Sequence, residues 1–211
     1  MKFTVNRPAF CEALKTVTNV GKSSLLTRIS GIYLYADASK RILELTGTDV
    51  ITSVVKRIRD ADISMSGEII LPPVVLEILR KTKEESVTIE TDENGALGLS
   101  FGSARYLLVT KPANEFPKSE LVFPTAYISV SGLLPLLKHA AFAAETKGDK
   151  RELQGVTLRL TPGISTAEAM NQKRMASAVN RNAADGETEM KLHISAVNIL
   201  FSLLSADKTV Y

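Results

Sequence analysis

One order of elements, a strand, a helix and then three strands, occurs twice before residue 111, and this repetition limits the fold more than any single motif does. Residues 2–6 alternate Phe3 and Val5 with polar neighbours, the period of a half-buried strand. Asn6 is placed to cap a helix that carries Pro8 in its first turn, where a missing N–H costs least. Phe10, Ala13, Leu14, Val17 and Val20 then recur at helical spacing until Gly21 closes the segment. Strands are predicted over 32–38, 42–48 and 51–59, with turns at 38–40 and 47–49. The order restarts at 68–71, a strand followed by Pro72-Pro73 and a helix over 74–81. Three more strands are predicted over 87–91, 97–101 and 106–110, with a hairpin signal at Asp92-Glu93-Asn94-Gly95.

Residues 111–125 hold three prolines and little periodicity, so they read as a linker between domains. Beyond it the spacing predicts a strand over 126–130 and a helix over 131–144, with Pro135 early enough to be tolerated. Weaker strand signals lie at 156–160, 165–170 and 175–180. A further strand over 190–194 leads to a helix with Ser195 as its N-cap, and 208–211 resembles the start of another strand. Two domains are expected, 1–120 and 121–211, each of two strand-helix-strands units, the second unfinished by roughly two strands. Each helix is too apolar on one side to stand alone, so the fold class is α+β, with helices on one side of antiparallel sheets.

The bulk numbers narrow function. A net charge of +3 over 211 residues is too small for a protein that grips phosphates over its whole surface. A nucleic-acid role therefore rests on where the charges sit. Cys11 is the single cysteine, so no intrachain disulfide can form and cysteines cannot build a zinc site. No apolar run approaches the roughly 18 residues needed to span a bilayer, and the opening residues lack a signal peptide. A soluble cytoplasmic protein without cofactors or metal is expected. Enzyme signatures are missing too. His139 and His193 lack metal-ligand spacing. Gly21-Lys22-Ser23 follows a helix and lacks the earlier glycine of a phosphate loop, and Cys11 sits on an apolar helix face.

Several segments together carry a family resemblance. Met1-Lys2-Phe3-Thr4-Val5, Leu45-Thr46-Gly47-Thr48-Asp49, Leu71-Pro72-Pro73 with the helix after it, Ser103-Ala104-Arg105-Tyr106 and Ala113-Asn114-Glu115-Phe116-Pro117 resemble the bacterial sliding clamp, the beta subunit of the replicative DNA polymerase. Leu153-Gln154-Gly155-Val156 extends the likeness beyond the linker. The family's Thr-Asp-Gly-His-Arg-Leu-Ala run is represented by Met170-Asn171-Gln172-Lys173-Arg174-Met175-Ala176. The resemblance implies a DNA-clamp fold in which helices line a hole and sheets form the outside. Family members have three such domains, and two chains join head to tail, domain one to domain three.

What the resemblance implies for residues is a cationic lining that faces phosphates from a distance, with Lys22, Arg80, Arg105 and Lys138 as candidates. The bland alternative is solvated charge paired with helix C-termini. Val74 and the helix from Ser195 carry no positive charge, which interrupts the lining. The resemblance also implies one wall of a cleft for clamp-binding peptides, at Leu153, Met170, Gln172, Lys173, Arg174 and Met175. The alternative there is a plain sheet edge. Implied partners are double-stranded DNA, the replicative polymerase, the clamp loader and other clamp chains. The leading reading is a non-catalytic processivity factor; a short clamp-like interaction module that does not encircle DNA is the competing one.

Overall fold

The computed structural model describes residues 1–21, 31–48, 52–59, 61–92, 95–117, 127–147, 149–181 and 184–204. The chain divides into two compact units, Met1–Glu120 and Leu121–Tyr211.

The first unit runs β1 (Lys2–Asn6), α1 (Arg7–Gly21), β2 (Ile32–Asp37), β3 (Ile42–Thr48), β4 (Ser53–Arg59), β5 (Asp62–Met65), β6 (Gly67–Leu71), α2 (Val74–Arg80), β7 (Ser86–Thr91), β8 (Ala96–Phe101) and β9 (Ala104–Val109). Two antiparallel sheets form, in the orders β4-β3-β2-β6 and β5-β1-β7-β8-β9. The two repeats exchange their leading strands: β6 pairs with β2 of the first repeat, and β1 pairs with β7 of the second. Neither repeat can therefore complete its sheet alone.

Asn6 caps α1 as the sequence predicts, its Oδ1 accepting the Ala9 N–H at 3.1 Å. Phe10, Leu14 and Val17 on α1, Val75 and Leu79 on α2, and Phe3, Leu45, Ile89 and Leu99 on the strands belong to one buried cluster. Each such side chain contributes about 1.5–3 kcal/mol. Helix and sheet lie close together at Gly47, where a Cβ would collide with the Val17 carbonyl.

Three expectations are corrected here. The strand β5 is an addition; three of its four residues, Asp62, Ile63 and Met65, pair with β1 across a bulge between Lys2 and Phe3. The start of the expected linker is packed, because Ala113–Glu115 forms a 3-10 turn and Phe116 stacks on Tyr33 with centroids 5.3 Å apart. Lys111 also bridges to Ile70, so this segment is part of the first unit's surface. The strand predicted over 51–59 begins at Ser53, while residues 49–51 lie outside the described residues.

The second unit comprises α3 (Leu133–Ala141), β10 (Gly155–Thr161), β11 (Ile164–Met170), β12 (Met175–Asn180), β13 (Thr188–His193) and α4 (Ile194–Leu203). Its antiparallel sheet has the order β12-β11-β10-β13. Leu133, Leu136, Leu137 and Ala140 of α3 pack on small residues of the sheet, among them Ala167, Ala169, Ala176 and Ala178. Gly132 precedes α3 at φ 68°, and a Cβ there would stand 2.6 Å from the Asn180 amide nitrogen, which donates to the Ser131 carbonyl. The helix predicted over 131–144 is thus shortened at both ends, with Asn180 holding its entry.

The strand predicted over 126–130 reduces to an isolated bridge between Val130 and Ala184, residue 126 lying outside the described residues. The cap of α4 is His193, not Ser195: its Nδ1 accepts the Ser195 N–H at 3.3 Å. Residues 208–211 lie outside the described residues.

Candidate nucleic-acid interface

Helix α1 turns Phe10, Leu14 and Val17 inward and leaves Pro8, Ala9, Glu12 and Lys15 exposed. On α2 the exposed positions are Val74, Glu77 and Arg80, followed by Lys81. The two helices are neighbours, and Arg7 joins them. Its backbone N–H donates to the Glu85 carbonyl at 2.7 Å, its Nη1 to the Leu79 carbonyl at 3.3 Å, and its Nε to the Glu84 carbonyl. The positive end of α1 therefore meets the negative end of α2, an antiparallel pairing that both helix dipoles favour. Beside this junction Cys11 is half-buried. Burial pushes its thiol up, against the opposing pull of Arg7 and Arg80, so it stays protonated and inert at neutral pH.

Two of the four sequence-proposed lining residues occupy exposed helical positions. Arg80 ends α2, and Lys138 stands in the last turn of α3 beside His139. Lys22 lies outside the described residues. Arg105 is on the wrong face for a lining residue. Register places it beside Ser100, Thr88 and Thr4, alternating with Tyr106, Leu99, Ile89 and Phe3, of which the last three are buried in the core with the inner residues of the helices. Its Nη2 donates to Glu90 Oε1 at 2.7 Å, and Glu90 Oε2 lies 3.4 Å from Lys2 Nζ. Sequence reasoning also missed Lys15, whose place on the outward stripe of α1 follows from counting residues from Phe10.

The second candidate group gathers at the β11–β12 turn. The Asn171 Oδ1 accepts the N–H groups of Lys173 and Arg174 at 2.9 and 3.0 Å, and Asn171 N–H donates to the Arg174 carbonyl at 2.9 Å. Gln172, Lys173 and Arg174 thereby form the lip of a cavity of about 410 Å³ whose other side is Ala144, Glu145 and Thr146. The Arg174 guanidinium lies 5.5 Å from the centroid of the exposed Phe142 ring, a cation–π arrangement. The Glu145 N–H donates to the Leu153 carbonyl at 2.9 Å, which brings Leu153 alongside. Met170 and Met175 form an exposed cross-strand pair at the root of the turn, on the sheet face opposite the Ala167 and Ala169 core.

Among the described residues no group of His, Cys, Asp and Glu could hold a metal ion, and no helix is long and apolar enough to cross a membrane.

Paired antiparallel helices backed by sheets that exchange their leading strands define the α+β DNA-clamp fold. Residues 1–120 match the family model for the DNA polymerase III beta subunit, N-terminal domain. The chain belongs to the DNA polymerase III beta subunit family. It is 29% identical over 180 residues to the beta sliding clamp of Pseudomonas aeruginosa, covering 83% of this chain and 48% of that one. It is 31% identical over 160 residues to the beta sliding clamp of Synechococcus elongatus, covering 74% and 42% respectively. The crystal structure of the P. aeruginosa DNA polymerase III subunit beta superposes with a TM-score of 0.87 at 25% identity, covering 98% of this chain and 57% of that one. For the Bacillus subtilis sliding clamp the TM-score is 0.89 at 20% identity, covering 99% and 58%. The chain spans about half the length of the curated relatives it matches.

Proposed function

We propose that this chain is a sliding-clamp polypeptide: with further clamp domains it encircles double-stranded DNA and tethers the replicative polymerase, acting by enclosure without catalysis. The observation that carries the reading is the side-by-side pairing of α1 and α2 through Arg7, in a chain of the clamp family. Two helices held this way present their exposed stripes together, so Lys15 and Arg80 can face phosphates without gripping base edges. Such contacts are weak, independent of sequence and compatible with sliding. Lys138 serves the same role on the second unit.

The β11–β12 turn is read as a docking point for peptides of the polymerase and the clamp loader. Its support is the rigid lip at Asn171 beside exposed apolar side chains, Phe142, Met170 and Met175. The compartment of replication in a bacterium, the cytoplasm, follows from the same reading.

Retention on DNA tests it. The protein is incubated with a clamp loader and either nicked circular or linear duplex, then filtered at rising salt. Enclosure predicts salt-resistant retention on circles and loss from linear ends, whereas simple electrostatic binding falls equally on both. Equal loss from both substrates rejects the reading.

A further inference from the structure

Four of the chain's five methionines have exposed side chains, Met65, Met170, Met175 and Met190, while Met1 is buried in the first unit's core. Strand register sets only two of them opposite each other. Met170 and Met175 face across β11 and β12, at the root of the turn whose lip is Gln172, Lys173 and Arg174. Met65 stands opposite Lys2, and Met190 opposite Leu158. The family's run has Thr and Leu where this chain has Met170 and Met175, so the pair is this chain's own.

Backbone hydrogen bonding brings the two side chains together. The Asn171 N–H donates to the Arg174 carbonyl one step further into the turn, and bonded and non-bonded pairs alternate along an antiparallel ladder. Met170 and Met175 are therefore a non-bonded pair, the kind whose Cα atoms approach to about 4.5 Å and whose side chains lie closer together. They are 44% and 60% exposed, on the face opposite the Ala167 and Ala169 core. Both thioethers are open to a dissolved oxidant, and neither supports the core. Reactivity separates Met175 from Met65, whose exposure is nearly the same at 58%. The Met65 Sδ accepts the Met1 ammonium at 3.4 Å, which occupies a lone pair that attack on an oxidant requires. Among the described residues no hydrogen bond engages the sulfur of Met170 or Met175.

We propose that Met170 and Met175 form a reversible oxidation site that controls peptide docking at the β11–β12 turn. The oxidant is of the hydroperoxide class. A sulfur lone pair attacks one peroxide oxygen, the O–O bond breaks and an S–O bond forms. The other oxygen takes the proton and leaves as an alcohol, or as water from hydrogen peroxide. Sulfur gives up two electrons and the peroxide gains them. Two thiols reverse the step, returning the thioether with a disulfide and water. A sulfoxide makes a flexible apolar side chain polar. An apolar peptide side chain laid over the pair then strips water from the new oxygen, which costs affinity. Docking weakens while the fold is left intact. The inference rests on reading the turn as a peptide-docking point, and it adds the regulation of that point.

The test treats the full chain with hydrogen peroxide for increasing times and locates sulfoxides by peptide mass spectrometry. Each sample is titrated against a fluorescent peptide copied from a polymerase's clamp-binding segment, and is also melted thermally. Met175 is expected to oxidise before Met65, and Met1 last. Affinity is expected to fall on the order of tenfold in step with sulfoxide at positions 170 and 175, with the melt unchanged. Treatment with a dithiol and a methionine sulfoxide reductase is expected to restore it. The double variant Met170→Leu/Met175→Leu is expected to hold its own starting affinity through the peroxide treatment. Met65→Leu and Met190→Leu are expected to lose affinity as the parent does. Unchanged affinity with both sulfurs oxidised, or a loss that persists in the double variant, overturns the proposal and leaves the docking reading standing. A parent that binds no peptide before oxidation overturns both.

Discussion

Arg105 and Glu90 form an ion pair at 2.7 Å on the sheet face turned away from α1 and α2, with Gly98 between their strands. A Cβ on Gly98 would press on Glu90 Cγ at 3.1 Å, so the bare glycine lets the carboxylate lie across β8 towards Arg105. The consequence for DNA is direct. Arg105→Ala is expected to leave the affinity for duplex and its salt dependence unchanged, and to cost at most about 1 kcal/mol of stability, because the pair is exposed. Arg80→Ala is expected to lower the slope of log K against log salt by about 1. Fluorescence anisotropy with a short duplex over a salt series compares the two. A larger loss for Arg105→Ala would return that residue to the lining.

Gly47 sets the distance between α1 and β3. Because a methyl group there would run into the Val17 carbonyl, helix and strand must separate to admit it. Leu14, Val17 and Leu45 then lose part of their packing together. Gly47→Ala is expected to destabilise the first unit by about 2–4 kcal/mol, read as a lower midpoint in urea with little change of slope.

Much of this fold was legible in the sequence because the repeat and its periodicities are local properties. Phe10, Leu14 and Val17 advertise α1, and Pro72-Pro73 marks the entry to α2. What escaped depends on partners distant in sequence. The strand β5 alternates polar and apolar residues too briefly to be noticed, and exists because β1 offers it an edge. Phe116 reads as linker until Tyr33 supplies a stacking surface. His193 displaces Ser195 as cap because its imidazole reaches the Ser195 N–H from the end of β13. The face of Arg105 was in principle available: Tyr106 pairs with Leu99 through a two-residue hairpin, which sends Arg105 to the other side. At the candidate sites the residue types were readable, but their grouping was not. Gln172, Lys173 and Arg174 share a lip with Ala144–Thr146 only once α3 and β11 have packed.

Acid stability offers a separate check. The Asp37 carboxylate accepts the Ser39 hydroxyl at 2.6 Å and the N–H groups of Ser39 and Lys40 at 2.9 and 3.1 Å. The Ser39 hydroxyl bond, then the Lys40 backbone bond, hold its carboxyl below the ordinary range. A carboxyl lowered by folding stabilises the native state above its unfolded value, about 3.9, and that contribution fades as pH falls through the lower folded value. Asp37→Ala is therefore expected to reduce the melting temperature at pH 7, the difference narrowing as the pH is taken below 4. A pH-independent difference would mean that the turn depends on the side chain's shape and not on its charge.

Ser165 carries the only buried side-chain oxygen or nitrogen without a hydrogen-bond partner among the described residues. It lies in β11 on the same face as Ala167 and Ala169, beneath α3. Removing an unsatisfied buried hydroxyl recovers its desolvation cost and leaves a void smaller than a water. Ser165→Ala is expected to be neutral or to stabilise by up to about 1 kcal/mol, against the usual destabilising trend of core substitutions. Thermal melts of the two proteins side by side decide it.

At the β11–β12 turn, stability and recognition are expected to separate. Asn171 holds Lys173 and Arg174 by accepting both backbone N–H groups, yet the turn is exposed and water can replace those bonds when the side chain is lost. Asn171→Ala should therefore cost the fold only about 0.5–1.5 kcal/mol. Binding is more sensitive, since a lip that must be ordered on contact charges its ordering against affinity. A fluorescent clamp-binding peptide is expected to lose on the order of tenfold in affinity for Asn171→Ala. Asn171→Asp keeps an oxygen acceptor in the same place and is expected to restore most of it. If both variants bind as the parent does, the turn is a sheet terminus without a part in docking.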